Sequence, residues 1–231
     1  MDKQFTYLFL IVFTIIGPIA LSFDKKVAFY KNYKLFLKSA GITSLFYILW
    51  DILFTKYNIW KFNDSFILKY KFLELPLEEY LFFLVVPYAS LFIYECIKIY
   101  FPNLKTGGIT TWKIIAAFSS VMAIMNYNKW YTFITFGTLA IILILTIANK
   151  SKIFNSMGNH LFAAWIVCLL PMSYVNGVLT GKPILIYNNL ENCKLRIGTI
   201  PFEDFFYHML YMVIMIFIFE YYKMSKRNTN S

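Results

Sequence analysis

Two short phrases hold most of the chemistry this sequence could perform: Leu75-Pro76-Leu77-Glu78-Glu79 and Ile200-Pro201-Phe202-Glu203-Asp204. Each sets a doubled carboxyl at the head of a long apolar run, where an ionised group costs about 2.5–3.5 kcal/mol near mid-bilayer and less toward the edge. Two adjacent carboxyls in such surroundings cannot both ionise cheaply, so one keeps its proton near neutral pH and can serve as a general acid. Its neighbour, or the pair in the other phrase, held ionised by a helix dipole and nearby Lys or Arg, can take a proton back. The plainer account is a good helix start, since proline suits the first turn and acids there meet the positive end of the dipole. That account needs one acid, not a doubled pair in two places.

Other ionisable or amide side chains fall near these phrases. Asp51 and its counterpart Asn176 lie near the ends of apolar runs, where an intramembrane polar residue is a functional candidate by default. His208 lies one helical turn beyond Asp204 on a similar face, which suits a proton relay. With no partner His or Cys at ligand spacing, it makes no metal site. Glu95 and Glu220 lie 16 residues beyond Glu79 and Asp204, about 24 Å along a helix. They therefore sit at the opposite membrane face, and the lysine three residues after each (Lys98, Lys223) points to structural ion pairing there. Cys96, Cys168 and Cys193 have neither pairing symmetry nor ligand spacing and receive no role.

The elements that must position these groups are membrane helices. Hydrophobic residues make up 59% of the 231 and charged ones 15%, against about 25% charge in a soluble domain. Apolar windows predict spans near 4–23, 35–54, 77–97, 110–126, 130–148, 160–179 and 202–222. The runs are continuous rather than alternating, which disfavours a β-barrel. The first window lacks a small-residue cleavage site and has a repeat partner, so it reads as a retained helix rather than a signal peptide. The expected fold is an all-α membrane protein of about seven transmembrane helices. The net charge of +10 comes from lysines at span ends, which anchor helices at headgroups and do not indicate nucleic acid. The loop bias in Lys and Arg slightly favours an outside N-terminus and an inside C-terminus.

The two acidic phrases are 125 residues apart, and the same shift places Asp51 on Asn176, Asn63 on Asn188, Phe62 on Tyr187 and Lys98 on Lys223. This is a tandem duplication. Spans one to three map on five to seven, with span four as connector: residues 1–106, 107–128 and 129–231, a 3+1+3 arrangement. A connector that crosses once restores direction, so the halves run parallel about a pseudo-twofold axis along the membrane normal. The halves differ where Phe83 faces His208, Asp51 faces Asn176 and Trp60 faces Leu185.

Aromatic residues reach 21% of the chain. Most belong to interfacial belts and helix packing, yet such rings also suit a pocket for a flat polyene or a carbocation, because their faces attract positive charge without trapping it. Dinucleotide, nucleotide-phosphate and magnesium-diphosphate motifs are absent from the sequence. The reading is therefore of redox-neutral, metal-free chemistry without a cofactor.

The ordered set Trp50-Asp51, Trp60-x-Phe62-Asn63, Leu75-Pro76-x-Glu78-Glu79, Pro87 and Tyr94-Glu95 resembles the first half of the lycopene cyclase domain family. Asn176-Gly177, Tyr187-Asn188, Arg196-Ile197, Ile200-Pro201-x-Glu203-Asp204 and Glu220 resemble its second half. The resemblance covers essentially the whole chain and looks like the fused two-repeat form. It implies conversion of acyclic lycopene end groups into β-ionone rings, an isomerisation in which a proton is added, a ring closes and a proton is lost. Glu78, Glu79, Glu203 and Asp204 would then supply acid and base, supported by Asp51, Trp60, Asn63, Asn176, Tyr187, Asn188 and His208. It further implies a lipophilic carotenoid substrate in a cytoplasmic membrane, among membrane lipids, with no obligatory partner subunit; homo-oligomerisation stays open. One departure is that the stretch Val213–Phe219 lacks a polar residue expected in the family's last helix. A cyclase for another isoprenoid and a proton-coupled membrane carrier are the alternatives, because tandem repeats with intramembrane acids also describe carriers.

Overall fold

Seven α-helices account for most of the computed structural model, which describes residues 3–149 and 152–229. They are α1 (Thr6–Leu21), α2 (Tyr33–Lys56), α3 (Leu77–Tyr100), α4 (Ile109–Met125), α5 (Trp130–Ala148), α6 (Lys152–Gly181) and α7 (Phe202–Thr229). All except α4 are long and apolar enough to cross a bilayer. The 17 residues of α4 rise about 25 Å, under the roughly 30 Å of a hydrocarbon core, whereas the 16 of α1 are extended by the 3-10 turn Lys3–Phe5 to a span of 19. Helix α4 folds back on α5 through the four-residue connection 126–129, as short links between antiparallel helices do. Helix α6 starts earlier than its apolar window implies, because the polar turn around Asn155, Asn159 and His160 continues the helix. Asn159 and His160 then reach carbonyls of the loop after α3, Leu104 and Phe101.

Contacts between helices repeat with the halves exchanged. Helix α3 packs on α1 and α6, while α7 packs on α5 and α2; α2 lies against α3 as α6 lies against α7. These are the neighbours a pseudo-twofold relation demands. α7 is the most enclosed helix, with Met209, Leu210, Met212, Val213, Met215, Ile216 and Phe219 all buried. Filling that many core positions with apolar side chains explains why Val213–Phe219 carries no polar residue. By contrast, α1 turns Phe9, Val12, Phe13 and Ile16 outward, an apolar surface suited to lipid.

Short strands lie between helices and tie the halves together. Strand β1 (Trp60–Phe62) pairs antiparallel with β4 (Leu185–Tyr187), in the register Trp60↔Tyr187, Lys61↔Ile186, Phe62↔Leu185. Equivalent strands thus pair with each other about the Lys61–Ile186 position. Hairpin β2–β3 (Lys71–Phe72, Leu75–Pro76) is matched by β5–β6 (Arg196–Ile197, Ile200–Pro201). Pro76 and Pro201 are therefore the last strand residues before α3 and α7, not members of the first helical turn. The ring costs nothing at that place, where no ladder bond is made.

The far-end ion pairs are formed between halves rather than within a helix. Lys98 bonds Glu220, and Lys223 bonds Glu95. Tyr94 also donates to Glu220 at 2.9 Å and Asn32 to Glu95 at 3.1 Å. The expected lysines are used, with partners exchanged, because α3 and α7 run side by side at the axis.

Candidate functional site

The loops that deliver the acids are folded by the same local bonds in both halves. Asn63 and Asn188 each use the side-chain oxygen to accept a backbone N–H two residues on, from Ser65 and Leu190, both at 3.0 Å. Such Asx turns hold the chain without a strand or helix. Ten residues before each outer acid, a loop amide then docks onto it: Leu68 N–H donates to Glu78 at 2.6 Å and Cys193 N–H to Glu203 at 2.7 Å. Thr132 also donates to Glu203, at 2.5 Å. The Cys193 thiol itself is pushed up to about 11 by burial and then by Glu203, so it stays neutral. Consecutive helical residues point about 100° apart, so once Glu78 and Glu203 clasp the loops, Glu79 and Asp204 turn toward the interior.

In the first half the interior group is a pair of carboxyls. Glu79 accepts from the Tyr7 hydroxyl at 2.6 Å, and the Asp51 carboxyl is its neighbour. Asp51 also accepts from the Tyr207 hydroxyl at 3.1 Å. Two buried carboxyls side by side cannot both ionise cheaply, which suits this pair to sharing one proton. Asp51 is 3% exposed and Glu79 is 6%, so neither carboxyl is freely hydrated.

In the second half the corresponding group is a single carboxyl ringed by neutral donors. Asp204 accepts from Tyr131 at 2.6 Å, from the Asn176 side-chain amide at 2.9 Å and from Tyr187 at 2.9 Å. Tyr187, in the loop strand, holds its proton well above the usual phenol range because burial and the adjacent Asp204 disfavour a phenolate. Three donors satisfy a carboxylate with no proton of its own. Where the first half has Asp51, Asn176 supplies an N–H.

Both interior groups open into one cavity of about 970 Å³, its mouth included, between α1, α3, α6 and α7. Asp51, Glu79, Asp204 and Asn176 line it, together with Trp60, Tyr187 and His208. The outer acids Glu78 and Glu203 and the amides Asn63 and Asn188 do not; they build the loops above it. His208 bonds Ser90 at 3.1 Å deeper in the cavity, so no hydrogen bond among the described residues joins it to Asp204. Rings crowd the polar end: Trp60 meets Tyr131, Tyr187 and Tyr207 edge-on at centroid distances of 5.2, 5.8 and 6.2 Å. These faces and edges suit a transient cation.

Tyr7, Tyr131, Tyr207, Ser90, Thr14 and Tyr211 are among the polar residues of the site that sequence reasoning missed. Tyr7 and Tyr131 do the same work but stand 124 residues apart, one short of the common shift, so a rigid register hides them. Tyr207 faces Phe82 under that shift, and Ser90 faces Met215, so neither belongs to a polar pair.

With this geometry in place, comparison with known proteins gives one match: a family described as lycopene cyclase, found twice, over residues 4–97 and 128–222. The two matches together cover most of the chain, and their starts are 124 residues apart while their ends are 125 apart, the same slip seen at Tyr7 and Tyr131. No curated protein and no solved structure matches it.

Proposed function

The chain belongs to the lycopene cyclase family of membrane carotenoid cyclases, and on that premise we propose that it closes acyclic lycopene end groups into β-ionone rings as an intramolecular lyase of the isomerase kind. The observation that carries this reading is the inequality of the two interior groups facing one aromatic-walled cavity. On one side two carboxyls, Asp51 and Glu79, stand together with tyrosine donors; on the other a single carboxyl, Asp204, is ringed by three neutral donors, which supports the first as the proton source and the second as its acceptor.

In this mechanism the Asp51–Glu79 pair protonates the terminal double bond, leaving a tertiary cation. The electrons of the next trisubstituted double bond close the six-membered ring, and the charge moves to the carbon left behind. Asp204 removes the proton from the carbon that joined the ring, which gives the β-ring double bond. One proton enters and one leaves, so formula and oxidation state are unchanged. Trp60, Tyr187 and Tyr207 surround the charge with ring density and no strong nucleophile. Glu78 and Glu203 act one step back, fixing the loops that aim the inner acids. The repeats 1–106 and 129–231, joined through 107–128, would supply acid and base from one chain without a partner subunit. A cytoplasmic-membrane location with the N-terminus outside belongs to the same proposal.

Expression in bacteria that accumulate lycopene, followed by chromatographic pigment analysis, tests it. Monocyclic and bicyclic products are expected; unchanged lycopene beside a well-inserted protein would overturn the reading.

A further inference from the structure

The pseudo-twofold relation creates two equivalent seams between halves, α3 against α6 and α7 against α2, yet the cavity occupies one of them. The residues explain why. The α2–α7 seam is plugged by Tyr47, Trp50, Phe54 and Tyr211, all buried, with Tyr211 also forming part of the cavity wall. Tyr47 packs 4.6 Å from Tyr211 and 4.7 Å from Tyr207 between ring centroids. Shifted by 125, these positions become Met172, Val175, Leu179 and Val86 on the α3–α6 seam, and all four line the cavity. Four ring-bearing side chains on one side have become four aliphatic ones on the other. Helix-interior prolines follow the same division: Pro87 and Pro171 lie on the open seam, where the plugged seam has Met212 and Phe46.

The open seam leads outward to lipid. Its lining follows α3 from Glu79 to Ile93, about 21 Å of helix, and includes half-buried Thr14 and exposed Pro171. Around that rim, Phe13, Val167, Leu170 and Tyr174 face outward, and the rings of Phe13 and Tyr174 approach within 6.0 Å across α1 and α6. The polar end of the cavity is capped by the β1–β4 ribbon, from which Trp60, Phe62, Leu185 and Tyr187 project into it.

We infer that a linear polyene passes into the site sideways from the bilayer, between α1, α3 and α6, and that each chain admits a single end group at a time because its second seam is plugged. This rests on the cyclase reading above. A substrate with two acyclic ends must then withdraw and re-enter by its other end, so the one-ring compound is released as a free intermediate.

The test compares pigment retention with turnover in cells accumulating lycopene. The seam is filled with its own counterparts by Met172→Tyr with Val175→Trp, and by the milder Val86→Phe should the double variant fold poorly. Leu145→Trp on the outward face of α5, away from the seam, controls for added bulk. Filled variants that stay monodisperse are expected to lose both co-purified lycopene and product, while Leu145→Trp keeps both. Glu79→Gln separates this inference from the cyclase reading, since it should lose product yet still purify with lycopene. Filled variants that retain pigment and turnover would overturn the lateral route. Bicyclic product appearing without a free one-ring compound early in the time course would overturn single-end admission.

Discussion

Residue 51 is aspartate where its counterpart 176 is asparagine, and residue 62 is phenylalanine where 187 is tyrosine; around these exchanges the two interior sites become unlike. Both have a helix-start carboxyl held by a tyrosine at 2.6 Å, Tyr7 on Glu79 and Tyr131 on Asp204. In the first half the remaining partner is another carboxyl, an arrangement suited to storing a proton. In the second it is an amide, backed by Tyr187, two donors suited to a carboxylate. A duplicated scaffold thus places two unlike carboxyl groups against one cavity through exchanges at 51/176, 62/187 and 79/204.

The most severe way to break this contrast is to remove either interior acid. Glu79→Gln and Asp204→Asn should each lower turnover by about 10²–10⁴-fold, the usual worth of a positioned acid or base, measured as product per membrane-inserted protein. Next comes making the halves alike. Asp51→Asn leaves an amide beside Glu79 in place of the acid that shares its proton, and should cost about 10²-fold while bound pigment persists. Wild-type turnover in that variant would remove the first half's acid role.

A smaller effect separates the tyrosines. Tyr131→Phe strips a donor from an ionised group, worth about 1.5–3 kcal/mol, or about ten- to hundredfold in rate. Tyr7→Phe leaves Glu79 beside Asp51 and should cost less; equal losses would argue that both sites carry the same charge. The smallest effects belong to the outer acids. Glu78→Gln and Glu203→Gln retain an oxygen for the Leu68 and Cys193 amides, so most turnover should survive, with stability lowered by about 1 kcal/mol and read as a modest drop in thermal midpoint. A loss as large as that of Glu79→Gln would move catalysis to the outer position.

Much of this arrangement is written locally. Length and apolarity give the crossing helices, and the 125-residue recurrence gives the repeat. The Pro-x-acid-acid phrases mark where strand yields to helix and where carboxyls gather. The division between Glu78 and Glu79 was not legible, because both are acids in the same first turn; which one meets a loop amide depends on where residue 68 is brought by folding. Asn63 and Asn188 looked like site residues because they recur, but recurrence also preserves turns. The exchanged ion pairs Lys98–Glu220 and Lys223–Glu95 are invisible along one helix, since an intrahelical partner is always three residues away.

By itself, then, the sequence determined a duplicated membrane protein with carboxyls at the head of one helix in each half, because periodicity, hydropathy and composition are properties of a chain and need no partner. Only the tertiary structure decided which carboxyl meets a second carboxyl, which stands among neutral donors, and which of two equivalent seams is hollow. Those outcomes depend on side chains more than a hundred residues apart meeting at an axis, where one acid-to-amide exchange and four losses of an aromatic ring take effect.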